Sequence, residues 1–192
     1  MSEYLKFILD TSNIEALEEA YPLLTKTNTL NGWKSYLITK STLTPAGDPI
    51  MISRAEKAQK LFPYDNEFKQ LLKTSRIGAL RINKAFSIGQ QAQAKYNEQS
   101  FIEAAKLYET AIELDPYEYS YYENAALCYY TLNDIDNALL NINKVVDEMN
   151  PLNGKCEFIK GLIYLKLGIS EDACSLFETS IASGFKSAES AK

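Results

Sequence analysis

Apolar residues recur at helical spacing through the second half of the chain, and this spacing predicts pairs of amphipathic helices. The first run lies between Ser120 and Leu132 and consists of Tyr122, Ala125, Ala126, Tyr129 and Tyr130. The second run consists of Leu139, Ile142, Val145 and Val146. The four residues from Leu132 to Ile135 leave room only for a tight turn, so we expect the two helices to lie antiparallel in a hairpin.

Small and aromatic residues repeat along the same half with a step of 34 residues and then of 35. The three series are Ala92, Ala126 and Gly161; Ala104, Ala138 and Ala173; and Tyr108, Ile142 and Phe177. The longer second step indicates one residue inserted between the second and third copies. Units of this length bury their apolar faces by stacking on their neighbours, so the period predicts a helical solenoid and a protein that binds through a shaped surface.

The segment from Phe101 to Pro116 carries Ala104, Tyr108 and Ala111 at its small and aromatic positions. In these residues and their spacing it resembles the second helix of the tetratricopeptide repeat, a helix-turn-helix unit with small residues where its helices touch. The resemblance extends over roughly residues 85 to 187, with copies at residues 85–118, 119–153 and 154–187. It implies an all-α fold, a right-handed solenoid of antiparallel helix pairs.

Two residues depart from the family pattern. Val145 stands where a small residue is usual, and Glu157 stands where an aromatic residue is usual. We therefore expect the first turn of the third copy to pack less well. After that copy, residues 188–192 are predicted to form a short terminal cap or a truncated helix.

The first half of the chain has weaker patterns. Ser12 with Glu15 forms a capping-box pattern, and the apolar residues that follow predict a helix ending near Pro22 or just beyond. A second helix is predicted to start around Trp33 and to stop before residues 44–49, which carry two Pro and a Gly and are predicted to form a loop.

A third helix is predicted from Ile52 to Phe62, and residues 1–63 are predicted to form divergent hairpins of the same repeat type. Pro63 and Pro116 lie 53 residues apart, which is not a multiple of 34. Residues 64–99 are therefore predicted to form a long linking helix, bent at Gly78 or Gly89, that runs into the first clear repeat.

Charge and hydropathy narrow the class of partner. The net charge of −5 opposes binding to nucleic acid. One candidate basic stripe consists of Lys69, Lys73, Arg76, Arg81 and Lys84. It is either a site for an acidic partner or an exposed helix face.

No apolar run approaches the ~18–20 residues that cross a bilayer, and no signal peptide is visible. We expect a cytoplasmic protein as the chain stands, or a periplasmic or envelope-associated one if it is a fragment.

The residues that usually carry catalysis or bind metals are few. The chain has no His, and its three Cys form no CxxC pair. Cys156 and Cys174 are predicted to be offset by roughly 10 Å, which is beyond disulfide reach. Adjacent carboxylates such as Glu18 and Glu19 are predicted to lie on solvated helix faces. The sequence predicts a protein that is not an enzyme and has no cofactor or metal.

The family resemblance implies that the first helix of each repeat lines a concave groove. Carried over by alignment, the groove residues are Tyr96, Glu123, Asn124, Leu127, Tyr130, Lys155, Phe158, Leu162 and Leu165. This stripe is either an exposed site for a partner helix or extended peptide, or a surface covered by the N-terminal half or a cap.

Some relatives in the family hold a C-terminal carboxylate with a clamp of Lys, Asn and Arg. The aligned positions here are Gly89, Gln93, Asn124, Lys155 and Ile159, of which only Asn124 and Lys155 match the clamp. A chaperone-tail receptor is therefore not expected. The function that the sequence predicts is a non-enzymatic scaffold or adaptor for a protein partner. The alternative is a structural segment of a larger envelope or secretion assembly, in which the repeats mediate subunit packing or self-association.

Overall fold

The computed structural model describes residues 14–149, 151 and 153–186, and within them every regular element is helical. The ten α-helices are α1 Ile14–Lys26, α2 Leu30–Leu43, α3 Pro49–Leu61, α4 Asn66–Ile77, α5 Ala79–Asn97, α6 Phe101–Leu114, α7 Tyr119–Thr131, α8 Ile135–Lys144, α9 Lys155–Lys166 and α10 Ser170–Ala182. The predicted all-α class is confirmed for these residues. The chain forms two compact units, divided between Ile82 and Asn83.

The first three helices begin or end at different residues from those predicted. Helix α1 continues past Pro22 to Lys26, although a proline inside a helix removes one backbone hydrogen bond. Helix α2 begins at Leu30, three residues before Trp33, because Thr29 Oγ1 accepts a hydrogen bond from the Gly32 N–H at 3.2 Å. Ser12, the predicted cap of α1, lies outside the described residues.

The predicted loop at residues 44–49 ends one residue early. Asp48 Oδ1 accepts from the Met51 N–H at 2.6 Å and caps α3, whose first residue is Pro49. Proline is well tolerated there because the first N–H groups of a helix have no partner within it.

Residues 64–99 do not form one continuous helix, and the interruption falls at Gly78, one of the two positions at which a bend was predicted. The segment forms two helices, α4 and α5, separated at Gly78, which has a φ of +82° that an L side chain rarely adopts. Asp65 starts α4 by accepting from the Glu67 and Phe68 N–H groups at 3.0 and 3.2 Å. The first unit therefore extends beyond residue 63, because α4 packs on both α2 and α3.

The core of the first unit gathers residues from α1 to α4. Its fully buried members are Leu17, Ala20, Trp33, Tyr36, Leu37, Met51, Ala58 and Phe68. Beside this core, Glu18 accepts from Lys40 Nζ and from Arg54 Nη2, each at 2.5 Å. Glu18, which was predicted to lie on a solvated helix face, keeps 35% of its side chain exposed but is paired with both cations, whereas Glu19 is exposed.

The second unit buries the small residues that form the repeat series. Ala92, Ala104, Ala126, Ala138 and Ala173 are all fully buried, and so are the large residues Tyr108, Ile142 and Phe177. Helix α7 packs on α6 and α8, and α9 packs on α7, α8 and α10. At Gly161 a Cβ atom would lie 2.5 Å from Cε1 of Phe177, so glycine allows this ring to rest on the backbone of α9.

A π-helical turn, Val145–Met149, continues α8. From Ala111 to Val145 the step is 34 residues, but from Pro116 to Pro151 it is 35, so the extra residue lies between 145 and 151. A π-turn accommodates one residue more than an α-helical turn. The residue that lengthens the second repeat step therefore coincides with this turn, in which Val145 is fully buried.

Candidate functional site

Two groups of contacts align α7 with α9. Near the start of both helices, Lys155 Nζ lies 2.8 Å from Asn124 Oδ1 and 3.2 Å from Glu123 Oε2. Near their ends, Lys166 Nζ lies 3.2 Å from the Tyr130 carbonyl oxygen and 4.7 Å from the centre of the Tyr130 ring. The helices therefore run side by side in the same direction, and Asn124, Lys155 and Tyr130 share one face of the pair.

Glu123 lies at the base of this face and does not line its surface. Its side chain is 2% exposed, and its carboxylate accepts from Lys155 and, at 3.4 Å, from the Asn153 amide. Burial raises the pKa of the Glu123 carboxyl, and the Lys155 ammonium group opposes that rise. Lys155 is consequently neutralised within the protein, while its side chain stays 28% exposed.

The apolar members of the predicted stripe differ in accessibility. Leu127 and Tyr130 are partly buried against the core that includes Ile159, whereas Leu165 is 49% exposed and Leu162 is half-buried. Tyr96, at the end of α5, meets the Phe101 ring edge-on at 5.3 Å. The most accessible apolar side chains therefore lie towards the end of α9.

Phe158 lies between two other aromatic rings. Its ring centre is 5.8 Å from that of Phe177 and 5.2 Å from that of Phe185, which follows α10. Phe158 is therefore partly buried in an aromatic cluster near the start of α9.

A depression of about 360 Å³ lies between α5 and α7. It is lined by Phe86, Gly89, Gln90, Gln93, Tyr108, Glu118, Ser120, Tyr121 and Asn124. Gly89, one of the two positions at which a bend was predicted, lies inside the continuous helix α5. It makes room for Tyr121, because a Cβ atom there would lie 2.6 Å from Tyr121 Cε1. A glycine that weakens a helix interior by about 1 kcal/mol is a sequence signal of such a close approach.

Hydrogen bonds within the depression engage most of its polar atoms. The Tyr108 hydroxyl donates to Gln93 Oε1 at 3.1 Å, and Gln93 Nε2 donates to Asn97 Oδ1 at 3.0 Å. The Asn124 side chain also hydrogen-bonds the Tyr108 hydroxyl, and burial raises the pKa of this phenol to about 12. The amides of Gln93 and Asn124 are thus held in place by protein partners.

The aligned positions of the carboxylate clamp provide no cation with a free ammonium or guanidinium group. Gly89 lies beneath the Tyr121 ring and Ile159 is 1% exposed. Lys155 is the one cation among these positions, and Glu123 neutralises it. A free carboxylate would have to displace that buried partner.

The cysteines form no disulfide in the described residues. Cys128 and Cys156 are buried, and burial raises the pKa of both thiols to about 12, while Cys174 is exposed and unpaired with another cysteine. No group of three or more potential metal ligands occurs within residues 14–149, 151 and 153–186. Gly78 divides the basic stripe between α4 and α5, and within it Arg76 pairs with Glu56 at 2.7 Å.

No protein-family model matches the sequence, and no curated protein matches it. Among the helices of the described part of the chain, none has both the length and the apolar character needed to span a membrane.

Proposed function

We propose that the second unit is a tetratricopeptide-like solenoid that acts as a non-enzymatic scaffold or adaptor. In this proposal α5, α7 and α9 are the first helices of three successive antiparallel hairpins, and their shared face holds a peptide or helix of a protein partner. The observation that carries it is the alignment of α7 with α9 through Lys155 and Lys166. Neighbouring first helices of a stacked repeat array are expected to run in this way.

Side chains on that face support a binding role. Tyr130 presents an amphipathic ring beneath the Lys166 ammonium group, and Leu162 and Leu165 lie on the neighbouring helix. Tyrosine suits an interface that is wet before the partner arrives, because its ring is apolar and its hydroxyl is polar. Partly exposed aromatic and aliphatic groups with a polar rim are typical of helix-binding surfaces.

A second candidate function is packing within a larger assembly. Ile102 on α6 and Leu140 on α8 are 59% and 69% exposed, although they lie on the second helices of the proposed hairpins. Large apolar side chains on more than one face favour contacts with several subunits over a single peptide groove.

The double variant Tyr130→Ala with Leu162→Ala tests the adaptor function. We expect it to capture the partners of the parent chain at least tenfold less well in a quantitative pull-down, because truncated interface tyrosines commonly lose about 2 kcal/mol or more of binding free energy. Tyr64→Ala with Leu140→Ala is the matched control, since these side chains are 90% and 69% exposed outside the groove.

Circular dichroism melts must accompany this comparison, because Tyr130 also packs on the core of the second unit. If the Tyr130→Ala, Leu162→Ala variant is folded and binds its partners as well as the parent does, the groove is not the binding site. If sedimentation shows that the parent self-associates and that only the control variant loses this property, the assembly function is favoured instead.

A further inference from the structure

The turn before α9 contains an asparagine followed by a glycine. Asn153 and Gly154 lie between the π-helical turn and α9, so their backbone belongs to neither element. Asparagine is a thermolabile residue, because the backbone nitrogen of the next residue can attack its side-chain carbon Cγ. A following glycine leaves that nitrogen unshielded, since glycine has no side chain. The same pair occurs in the sequence at Asn31 and Gly32.

The structure shows why a glycine stands after Asn153. Gly154 has a φ of +71°, which lies in the left-handed region that favours glycine. A Cβ atom at this position would also lie 2.5 Å from the carbonyl oxygen of Ser180. The reactive pair is therefore a consequence of the way in which the chain enters α9.

A hydrogen bond activates the side-chain amide of Asn153. The Lys155 N–H donates to Asn153 Oδ1 at 3.0 Å. Attack on Cγ moves negative charge onto Oδ1, and a backbone N–H at this distance stabilises the charge as it develops. The same N–H belongs to the first turn of α9, where the helix dipole also favours negative charge.

The second asparagine–glycine pair has a different setting. Asn31 and Gly32 both lie inside α2, and the Gly32 N–H donates to Thr29 Oγ1 at 3.2 Å. The attacking nitrogen is thus held by the cap of the helix. Asn31 therefore provides an internal control with the same two residues and a fixed backbone.

We propose that Asn153 is a site of spontaneous deamidation. The Gly154 nitrogen bonds to Asn153 Cγ and loses its proton to the solvent, while Nδ2 takes up a proton and leaves as ammonia when the Cγ–Nδ2 bond breaks. Water then opens the cyclic imide at either of its two carbonyl groups, which yields aspartate or isoaspartate. The net reaction is hydrolysis of the amide by water, and it does not depend on the proposed function.

The product changes the link between α7 and α9. Before the reaction Asn153 Nδ2 donates to Glu123 Oε1 at 3.4 Å, and Glu123 is paired with Lys155. After the reaction a second carboxylate faces that of Glu123, and the two share the charge of Lys155. Glu123 is 2% exposed, so water screens this repulsion poorly. We therefore expect deamidation to weaken the contacts that align α7 with α9.

The test ages the full chain in mildly alkaline buffer and maps its peptides by mass spectrometry. We expect Asn153 to convert at least about tenfold faster than Asn31, whose backbone must first leave the helix. Methylation by an isoaspartyl methyltransferase identifies the isoaspartate product. Asn153→Ser keeps a side-chain oxygen but cannot form the imide, so it should gain no charge at this position. Asn31→Ser is the matched control and should leave the rate at Asn153 unchanged.

The variant Asn153→Asp supplies the aspartate product directly. Its backbone amides in α7 and α9 should exchange hydrogen several-fold faster than those of the parent, because the added charge repels Glu123. Asn31→Asp adds the same charge in the first unit and should leave these exchange rates unchanged.

Three results would overturn the proposal. These are an unchanged Asn153 after ageing, conversion of Asn31 at an equal or higher rate, and an equal gain of negative charge in Asn153→Ser. Exchange rates in Asn153→Asp equal to those of the parent would contradict the expected effect on α7 and α9. None of these measurements involves a partner, so their failure is distinct from failure of the adaptor function.

Discussion

Each compact unit contains a glutamate–lysine pair with one buried member, Lys40 in the first unit and Glu123 in the second, and the two environments differ. In the first unit Glu18 meets two cations, Lys40 at Oε1 and Arg54 at Oε2, and Arg54 also lies 3.9 Å from the centre of the Tyr21 ring. In the second unit Glu123 meets one cation, Lys155, and is far less exposed than Glu18. The two glutamates therefore differ both in the number of paired cations and in burial.

The two carboxyl groups respond in opposite directions. Hydrogen bonding from Arg54 lowers the pKa of Glu18 despite some loss of solvent. Burial raises the pKa of Glu123 more than Lys155 lowers it. Two cations therefore stabilise a carboxylate at the first site, whereas one cation does not fully offset desolvation at the second. The charge of Glu18 is therefore well compensated by its two cations. The charge of Glu123, which lies beneath the candidate groove, is only partly compensated by Lys155.

The larger charge distribution follows the same division. Residues 1–82 hold 11 Lys and Arg against nine Asp and Glu, whereas residues 83–192 are strongly acidic. All the arginines of the chain lie in residues 1–82. Arginine can form several hydrogen bonds and stack on aromatic rings, and this chemistry matches the contacts of Arg54 with Glu18 and with the Tyr21 ring.

The largest expected effect comes from Glu18→Gln. Lys40 is 3% exposed, so losing the carboxylate leaves a buried ammonium group without its counter-charge. We expect a loss of about 3 kcal/mol in the free energy of unfolding of the first unit. The fluorescence of Trp33, the single tryptophan and a fully buried core residue, reports this unit during urea unfolding.

Glu19→Gln provides the matched control, because it removes the same charge from the neighbouring, exposed position. Its free energy of unfolding should stay within about 0.5 kcal/mol of that of the parent. Equal midpoints for the Glu18 and Glu19 variants would show that the two-cation network contributes nothing to stability.

A smaller effect is expected from Glu123→Gln. Lys155 is 28% exposed and can turn to water when its partner is neutral, and glutamine still accepts a hydrogen bond. We expect the free energy of unfolding to change by about 1 kcal/mol or less. Hydrogen exchange of the backbone amides of α7 and α9 measures this change in free energy within the second unit. Glu171→Gln, which makes the same change in charge at an exposed position, is the control. A loss as large as that of Glu18→Gln would mean that the two sites are energetically alike.

Much of the helical framework could be predicted from local patterns, but the role of particular glycines could not. The spacing of Ala104, Ala138 and Ala173 identified buried contacts, since a period in sequence reflects a repeated packing position. Gly78 and Gly89 were equivalent as sequence signals, yet one ends a helix through its positive φ and the other admits Tyr121. Only the tertiary partners distinguish these uses.

The candidate site was less predictable because it depends on distant residues. Alignment placed Glu123 and Phe158 in the groove, but the first is 2% exposed and bonded by Asn153 and Lys155, and the second is partly buried against Phe185. Glu18 was expected in solvent because its cations follow 22 and 36 residues later in the chain. Helical periodicity reports one face of one helix, and it contains no information on which charge a neighbouring helix brings.

The smallest expected effect is the pH dependence of stability. Its sign is predicted to be opposite for the Glu18 and Glu123 sites. The ordinary pKa of both groups is 4.5. Because the pKa of Glu18 is lowered on folding, its contribution to stability is present above pH 4.5 and is lost as the pH falls through the folded-state value. Because the pKa of Glu123 is raised, its charge opposes folding above the folded-state value, and this opposition disappears as the pH falls to 4.5.

Unfolding of the parent and of both glutamine variants between pH 7 and pH 3 measures these contributions. The advantage of the parent over Glu18→Gln should shrink below pH 4.5, whereas the difference between the parent and Glu123→Gln should move in favour of the parent as the pH falls towards 4.5. Subtracting each variant from the parent cancels the carboxylates that they share, so the two differences isolate one group each. Trends of the same sign would mean that folding shifts the pKa values of both carboxyl groups in the same direction, which would contradict the comparison.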